Sequence, residues 1–184
     1  MCMGRRSKGP DAVDDRGMLD EQVIGITSNF PFYERYHDER YVTSHDRRSV
    51  VTLKDKGESR VYSLINDSNK ELVVYQIDSG LIDDKKVSKC DFGIYSEDNL
   101  LVLVELKGSD YRAAIEQLLS TIEILLKTPK VSVTRLFTRV VLSKARVLDI
   151  LLTKEKKLKL LVEREYHGSH YKCSRVMKDT LSKI

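Results

Sequence analysis

The feature that most constrains the fold is a pair of apolar segments joined by a short polar turn. Cys90–Tyr95 and Leu100–Lys107 flank the turn Ser96–Asn99, and the second segment ends in Glu105–Lys107. Both segments are apolar at most positions, whereas a strand with one solvated face alternates between apolar and polar residues. The pattern therefore predicts a β-hairpin inside a sheet that has protein packed on both faces.

The register of this hairpin brings two carboxylates together. If Ser96 pairs with Leu100 around a three-residue loop, counting back along both strands places Asp91 opposite Glu105. Side chains alternate between the faces of a strand, so Lys107 emerges on the same face as Glu105. Like charges placed directly across two strands repel each other, and a divalent cation between them would offset that repulsion.

A helix is predicted directly after the hairpin. Ser109 or Asp110 can cap its start, and apolar residues recur at a spacing of three to four residues up to Thr128-Pro129. Gly108 leaves room for a close approach after Lys107, and the positive end of the helix dipole favours a phosphate at the same place.

Strand and helix patterns also cover much of the remaining chain. Three segments rich in β-branched and aromatic residues predict an antiparallel meander: Ser49–Lys54, Arg60–Ile65 and Glu71–Asp78. Residues 21–49 have no clear period and predict loops around a short helix or an edge strand. Beyond the first helix we predict a strand at Val131–Ser143, a short helix at Ala145–Leu152 and a last strand at Leu158–Glu163.

Length and composition set the expected domain organisation and compartment. The 184 residues suffice for a single domain at 21–184, with its core at about residues 70–143. Residues 1–20 are polar and contain the basic cluster Arg5–Lys8, which predicts a flexible basic arm. The three cysteines are widely spaced, and the sequence contains neither a signal-peptide core nor a membrane-length apolar run. We therefore expect a cytoplasmic protein that does not enter a membrane.

Several other function classes lack support in the sequence. It contains no Gly-rich phosphate loop, no Cys-x-x-Cys pair and no Ser/His/Asp order typical of hydrolases. His167, His170 and Cys173 are spaced three apart, but structural zinc sites usually take four ligands in paired spacing. The basic C-terminal third, with Tyr166 and Tyr171, is typical of a solvated charged face and also of a surface on which bases stack. The net charge of +4 is compatible with a polyanionic partner and does not require one.

The hairpin and its following helix resemble the Asp…Glu-x-Lys signature of the PD-(D/E)xK nuclease superfamily, carried here by Asp91, Glu105–Lys107 and Gln117. The resemblance covers about residues 70–143 in the order strand, strand, strand, helix, strand. It implies an α/β fold with a central mixed β-sheet flanked by helices, a restriction-endonuclease-like core, and the N-terminal β-meander as an extension. The sequence departs from the pattern at Cys90, where the superfamily has Pro. Glu58 is the candidate for the acidic residue that many members contribute from an N-terminal helix.

The resemblance also implies a metal site. Asp91 and Glu105 would bind Mg²⁺ or Mn²⁺ together with the backbone carbonyl of Leu106. Asp78 either supplies a further acidic ligand or only starts the turn that follows its strand.

By the same resemblance, Lys107 orients or deprotonates the attacking water and Gln117 is an accessory catalytic residue. The implied function is metal-dependent hydrolysis of phosphodiester bonds in DNA, in repair, recombination, restriction or defence. One alternative is a catalytically inactive nucleic-acid-binding or assembly subunit with the same fold. Another is an interaction protein whose charged hairpin end meets a partner. DNA is the expected partner, and a homodimer is compatible with cleavage of both strands.

Overall fold

The computed structural model describes residues 30–54, 57, 59–143 and 153–184. Three sequence-based predictions lie outside these ranges, namely the arm at residues 1–20, the acidic candidate Glu58 and the helix at Ala145–Leu152. Among the described helices, none has the length and apolar character needed to cross a membrane.

The elements follow one another in the order strand, helix, strands, helix, strands, helix, strands. They are β1 (Phe30–Pro31), α1 (Phe32–Arg35), β2 (Val42–Asp46), β3 (Val50–Lys54), β4 (Val61–Ile65), β5 (Leu72–Gln76), β6 (Phe92–Ser96), β7 (Leu100–Lys107), α2 (Tyr111–Ile122), β8 (Val131–Ser132), β9 (Arg135–Leu142), α3 (Thr153–Tyr166), β10 (His170–Ser174) and β11 (Val176–Thr180). A π-helical segment, Glu123–Lys127, continues α2.

A six-stranded mixed sheet forms the centre of the molecule, with the strand order β10-β9-β7-β6-β5-β2. β10, β9 and β7 run parallel to one another, while β7, β6, β5 and β2 pair antiparallel in turn. Parallel neighbours need a crossover connection, and α2 supplies it between β7 and β9. The predicted α/β class with a central mixed sheet is confirmed.

A second sheet, of order β11-β4-β3, lies beside the first. The hairpin of β3 and β4 has the antiparallel pairing that the sequence predicts. The extension of that meander to β5 is wrong, because β5 pairs with β6 and β2 in the other sheet. The side chain of Asn66 stabilises the connection between β4 and β5. Its amide donates to the carbonyls of Arg48 and Lys70, and its oxygen accepts from the Lys70 amide.

The central sheet is covered on both faces, as its apolar strands predict. One face packs against α1, α2 and α3 through a cluster that includes Leu101, Leu103 and Leu118. The other face packs against the three-stranded sheet through Val102, Val104 and Leu64. The predicted flanking helices therefore lie on one face of the central sheet, and the small sheet covers the other face.

The predicted strand at Leu158–Glu163 is wrong, because these residues lie within α3. Leu158, Leu161 and Val162 are buried at helical spacing, while the residues between them are charged or half-exposed. The strands β10 and β11 were not predicted, since their short segments carry charged and polar residues at most positions.

Candidate active site

The hairpin of β6 and β7 has the register that the sequence predicts. Ser96 pairs with Leu100 and Gly93 pairs with Leu103, and the last pair joins Phe92 to Val104. Asp91 therefore lies one residue beyond the paired region, at the end of the sheet where β7 leads into α2.

Beyond the last pair of the β6–β7 hairpin, it is the Asp91 side chain that bonds to β7. Its Oδ2 accepts a hydrogen bond of 2.7 Å from the backbone amide of Leu106, and its carbonyl accepts one of 2.9 Å from the Ile77 amide. The Leu106 amide of β7 therefore points toward β6, where the Asp91 carboxylate accepts its hydrogen bond. The N–H and C=O of one strand residue point toward the same neighbour, so the Leu106 carbonyl also lies on the Asp91 side.

Glu105 is a buried acid beside this carboxylate. Its side chain is only 2% exposed, and its Oε2 has no hydrogen-bond partner among the described residues. Burial and, after it, the charge of Asp91 raise the pKa of the Glu105 carboxyl to about 8, while the Lys107 ammonium opposes part of this rise. Near neutral pH the carboxyl therefore holds a proton unless another cation takes its place.

Lys107 and Gln117 complete the group on the helix-covered face of the sheet. The Lys107 ammonium lies 3.6 Å from Glu105 Oε1 and donates a hydrogen bond of 2.5 Å to Gln117 Oε1. The Gln117 side chain in turn donates to the carbonyl of Lys89 at 2.8 Å, which directs its oxygen toward Lys107. The side chains of Lys107 and Gln117, ten residues apart in the chain, therefore meet across the strand–helix junction.

Asp78 is placed differently from the other predicted residues. Its Oδ1 lies 3.2 Å from the ammonium of Lys89, whose side chain is 7% exposed and also donates to the carbonyl of Asp84. Within the described ranges, no three His, Cys, Asp or Glu side chains stand close enough together to hold a metal ion. The assignment of Asp78 as a metal ligand stays a prediction, while its contact with Lys89 is a feature of the fold.

The start of α2 matches its predicted cap. Asp110 Oδ1 accepts a hydrogen bond of 3.0 Å from the Ala113 amide, so one of the free amides at this helix end is already satisfied. A Cβ on Gly108 would meet the Arg60 guanidinium at 3.7 Å, an ordinary contact distance. A side chain at position 108 would therefore be tolerated, and the fold does not require a glycine there.

No protein-family model, curated protein or solved structure matches this chain. The superfamily resemblance of Asp91, Glu105 and Lys107 therefore stays a prediction.

Two residues of the site were not predicted from the sequence. Lys89 contributes its backbone carbonyl to Gln117, and Thr121 contributes a buried hydroxyl that contacts the segment before Asp91. Thr121 lies four residues after Gln117, so it was available as a polar interruption in the apolar stripe of α2. Cys90 is fully buried in the helix-side cluster, whereas Phe92, the first residue of β6, packs against the cluster on the opposite face of the sheet.

Proposed function

We propose that this chain is a metal-dependent nuclease that hydrolyses phosphodiester bonds in DNA. The observation that carries the proposal is the buried carboxylate of Glu105, adjacent to Asp91 and followed two residues later by Lys107. Burying an acid beside a second acid costs folding free energy, and such groups are concentrated at functional sites. The succession β5, β6, β7, α2 and β9 supports a restriction-endonuclease-like core within the α/β fold.

The donor set suits a hard divalent cation, Mg²⁺ or Mn²⁺. Asp91 and Glu105 would contribute carboxylate oxygens, and the Leu106 carbonyl lies on the same side of β7 as Asp91. Mg²⁺ sites in proteins typically use one or two carboxylates and leave the remaining positions to water and substrate phosphate. Glu105 Oε2 has no hydrogen-bond partner in the described part of the chain, which is consistent with an atom that binds a metal ion.

The metal ion, Lys107 and Gln117 would have separate roles in the hydrolysis. When bound, the cation would supply Lewis-acid stabilisation of the phosphate and a lowered pKa of water. Lys107 would orient the attacking water and stabilise the negative charge that develops on the phosphoryl oxygens. Gln117 holds the Lys107 ammonium at 2.5 Å, so it would act as an accessory residue that fixes the direction of that donor.

DNA cleavage in a reducing compartment such as the cytoplasm fits the free thiols of Cys90 and Cys173. A homodimer would supply the two sites that cutting both strands of a duplex often needs.

The test is cleavage of a labelled DNA substrate by Lys107→Ala in the presence of Mg²⁺. We expect loss of metal-dependent cleavage with DNA binding largely intact, because the ammonium acts on the reacting groups and contributes one of many charges to binding. Lys54→Ala, which removes an exposed lysine on β3, is the matched control and should cut as the wild type does. Unchanged cleavage by Lys107→Ala would refute the assignment. If the wild type binds DNA but never cuts it in Mg²⁺ or Mn²⁺, the chain is a binding subunit with the same fold.

A further inference from the structure

Thr121 is a buried polar residue on the apolar face of α2. It is fully inaccessible to solvent and shares that face with four apolar residues, Ala114, Ile115, Leu118 and Ile122. Its hydroxyl donates a hydrogen bond of 2.8 Å to the carbonyl of Gln117, one turn earlier in the helix. The same oxygen accepts one of 2.9 Å from the backbone amide of Cys90.

These contacts attach the segment before Asp91 to the helix at two adjacent points. The Cys90 amide binds Thr121, and the Lys89 carbonyl binds the side chain of Gln117 at 2.8 Å. Asp91 follows immediately in the chain and holds the Leu106 amide. Gln117 at the same time holds Lys107, so both halves of the candidate site depend on this attachment.

We infer that Thr121 is a positioning residue that fixes Asp91 and Gln117 relative to each other across the gap between strand β6 and helix α2. The inference rests on the proposed function, because it holds that these hydrogen bonds keep Asp91 and Gln117 in the positions that metal binding and hydrolysis need. Thr121 is sealed from solvent and cannot touch substrate, so any effect of its hydroxyl on the site passes through Cys90 or Gln117.

The chemistry of the hydroxyl explains why an apolar residue of the same shape would not suffice. Valine would fill the same volume but would leave the buried Cys90 amide without an acceptor. An unsatisfied buried amide moves toward another acceptor or toward water, and the neighbouring Asp91 carboxylate would move with it. Loss of a group that orients the ligands of a metal ion typically weakens metal binding or activity by about 10–100-fold.

The experiment compares Thr121→Val with Thr121→Ser, which keeps the hydroxyl. The first readout is hydrogen exchange of the Leu106 amide relative to other amides of β7, because this amide reports directly on the Asp91 carboxylate. The second is the affinity for Mn²⁺ alone, measured by electron paramagnetic resonance. We expect Thr121→Val to expose the Leu106 amide selectively and to weaken Mn²⁺ binding by about 10–100-fold. Thr121→Ser should restore both.

Controls separate positioning from a general loss of stability. Ile122→Val removes one buried methyl group from the same helix, so it should lower stability while leaving the relative exchange of Leu106 unchanged. If Thr121→Val does not fold, Thr121→Ala takes its place, since alanine also removes the hydroxyl and favours the helix. A folded variant without the hydroxyl that retains wild-type Leu106 exchange and Mn²⁺ affinity would overturn the inference. If the wild type itself binds no Mn²⁺, the proposed function fails, and Leu106 exchange alone still decides whether Thr121 holds Asp91.

Discussion

At the scale of single residues, Glu105 has an environment that differs from what an acid ordinarily requires. It is buried at the end of a central strand, beside another carboxylate and with one oxygen that lacks a partner among the described residues. Its pKa of about 8, against an unperturbed 4.5, means that the folded state binds a proton more tightly than the unfolded state does.

The first prediction at this scale concerns stability as a function of pH. Because the folded-state pKa of Glu105 is raised, its ionisation destabilises the fold progressively from about pH 4.5 to about pH 8. Glu105→Gln removes this ionisation and keeps the shape of the side chain. In metal-free urea unfolding, we expect it to stabilise the protein relative to the wild type more at pH 9 than at pH 5. An equal difference at the two pH values would contradict the raised pKa.

The second prediction concerns the proton that a metal must displace. If a divalent cation binds the Glu105 carboxylate, Mn²⁺ affinity should increase from pH 6 to pH 8, and binding should release protons below the pKa of about 8. Calorimetry in two buffers with different ionisation enthalpies measures that release. Glu105→Gln should bind Mn²⁺ weakly and without this release, and wild-type binding that is independent of pH would argue against Glu105 as a ligand.

The sequence predicted the meeting of Asp91, Glu105 and Lys107 because a hairpin has a register that can be counted from its turn. The contribution of Gln117 followed from the superfamily resemblance. Lys89 and Thr121 could not be found in the same way, because their roles depend on how a helix docks on a loop. No period in the sequence encodes that docking, which is fixed by packing between segments distant in the chain.

At the scale of elements, the charged residues on and beside α3 form two groups, one paired with carboxylates and one facing solvent. Lys159 of α3 and Lys172 of β10 pair with the buried Glu155, and Lys154 pairs with Glu116. Lys156, Lys157 and Arg164 instead line a shallow depression of about 440 Å³ with exposed Leu160, and they have no carboxylate partner among the described residues. The basic C-terminal third is therefore partly neutralised within the fold and partly presented to solvent.

This separation leads to a prediction about DNA binding that depends on the proposed function. Replacing Lys156, Lys157 and Arg164 with glutamine should weaken binding to duplex DNA and lower the slope of log K against log salt by up to about 3. The control variant replaces Lys54 on β3, Lys178 on β11 and Lys183 in the 3-10 helix Leu181–Lys183 that follows β11. It removes the same charge from the opposite face of the central sheet. Equal losses in the two triple variants would mean that net charge, rather than the α3 surface, governs binding.

The misassigned strand in α3 has a physical origin. Leu158–Glu163 is a short run in which apolar residues are nearly continuous, and periodicity alone does not separate a buried strand from a buried helical turn in such a run. The flanking charges of Lys154–Lys157 and Glu163–Glu165 belong to the same helix, and only the longer window reveals its 14 residues.

At the scale of the whole molecule, a buried ion pair joins the two sheets. Arg139 on β9 is inaccessible to solvent, and its Nε donates to Asp179 on β11 at 2.5 Å. Tyr62 on β4 donates to the same carboxylate oxygen at 2.9 Å. The central sheet and the three-stranded sheet are therefore held by a polar contact as well as by the apolar layer between them.

The resulting prediction is a large loss of stability when one partner is removed. Asp179→Asn should lower the free energy of unfolding by about 3–5 kcal/mol, because it leaves the buried Arg139 guanidinium without a countercharge. Arg139→Met combined with Asp179→Leu should lose less than that single change. Urea unfolding measures both, and a double variant that is less stable than Asp179→Asn would contradict this view of the pair.

The pairing of β11 with β4 also bears on the biosynthesis of the protein. Val61 lies opposite Val176, so the sheet that covers Val102 and Val104 cannot close until the ribosome has passed residue 180. Until then the nascent chain exposes the part of this apolar surface that Met177 on β11 covers, and exposed apolar surface favours aggregation. A ribosome that stalls within β10 would leave a product that contains every residue of the candidate site and still lacks β11, an edge strand of the sheet that covers the central one.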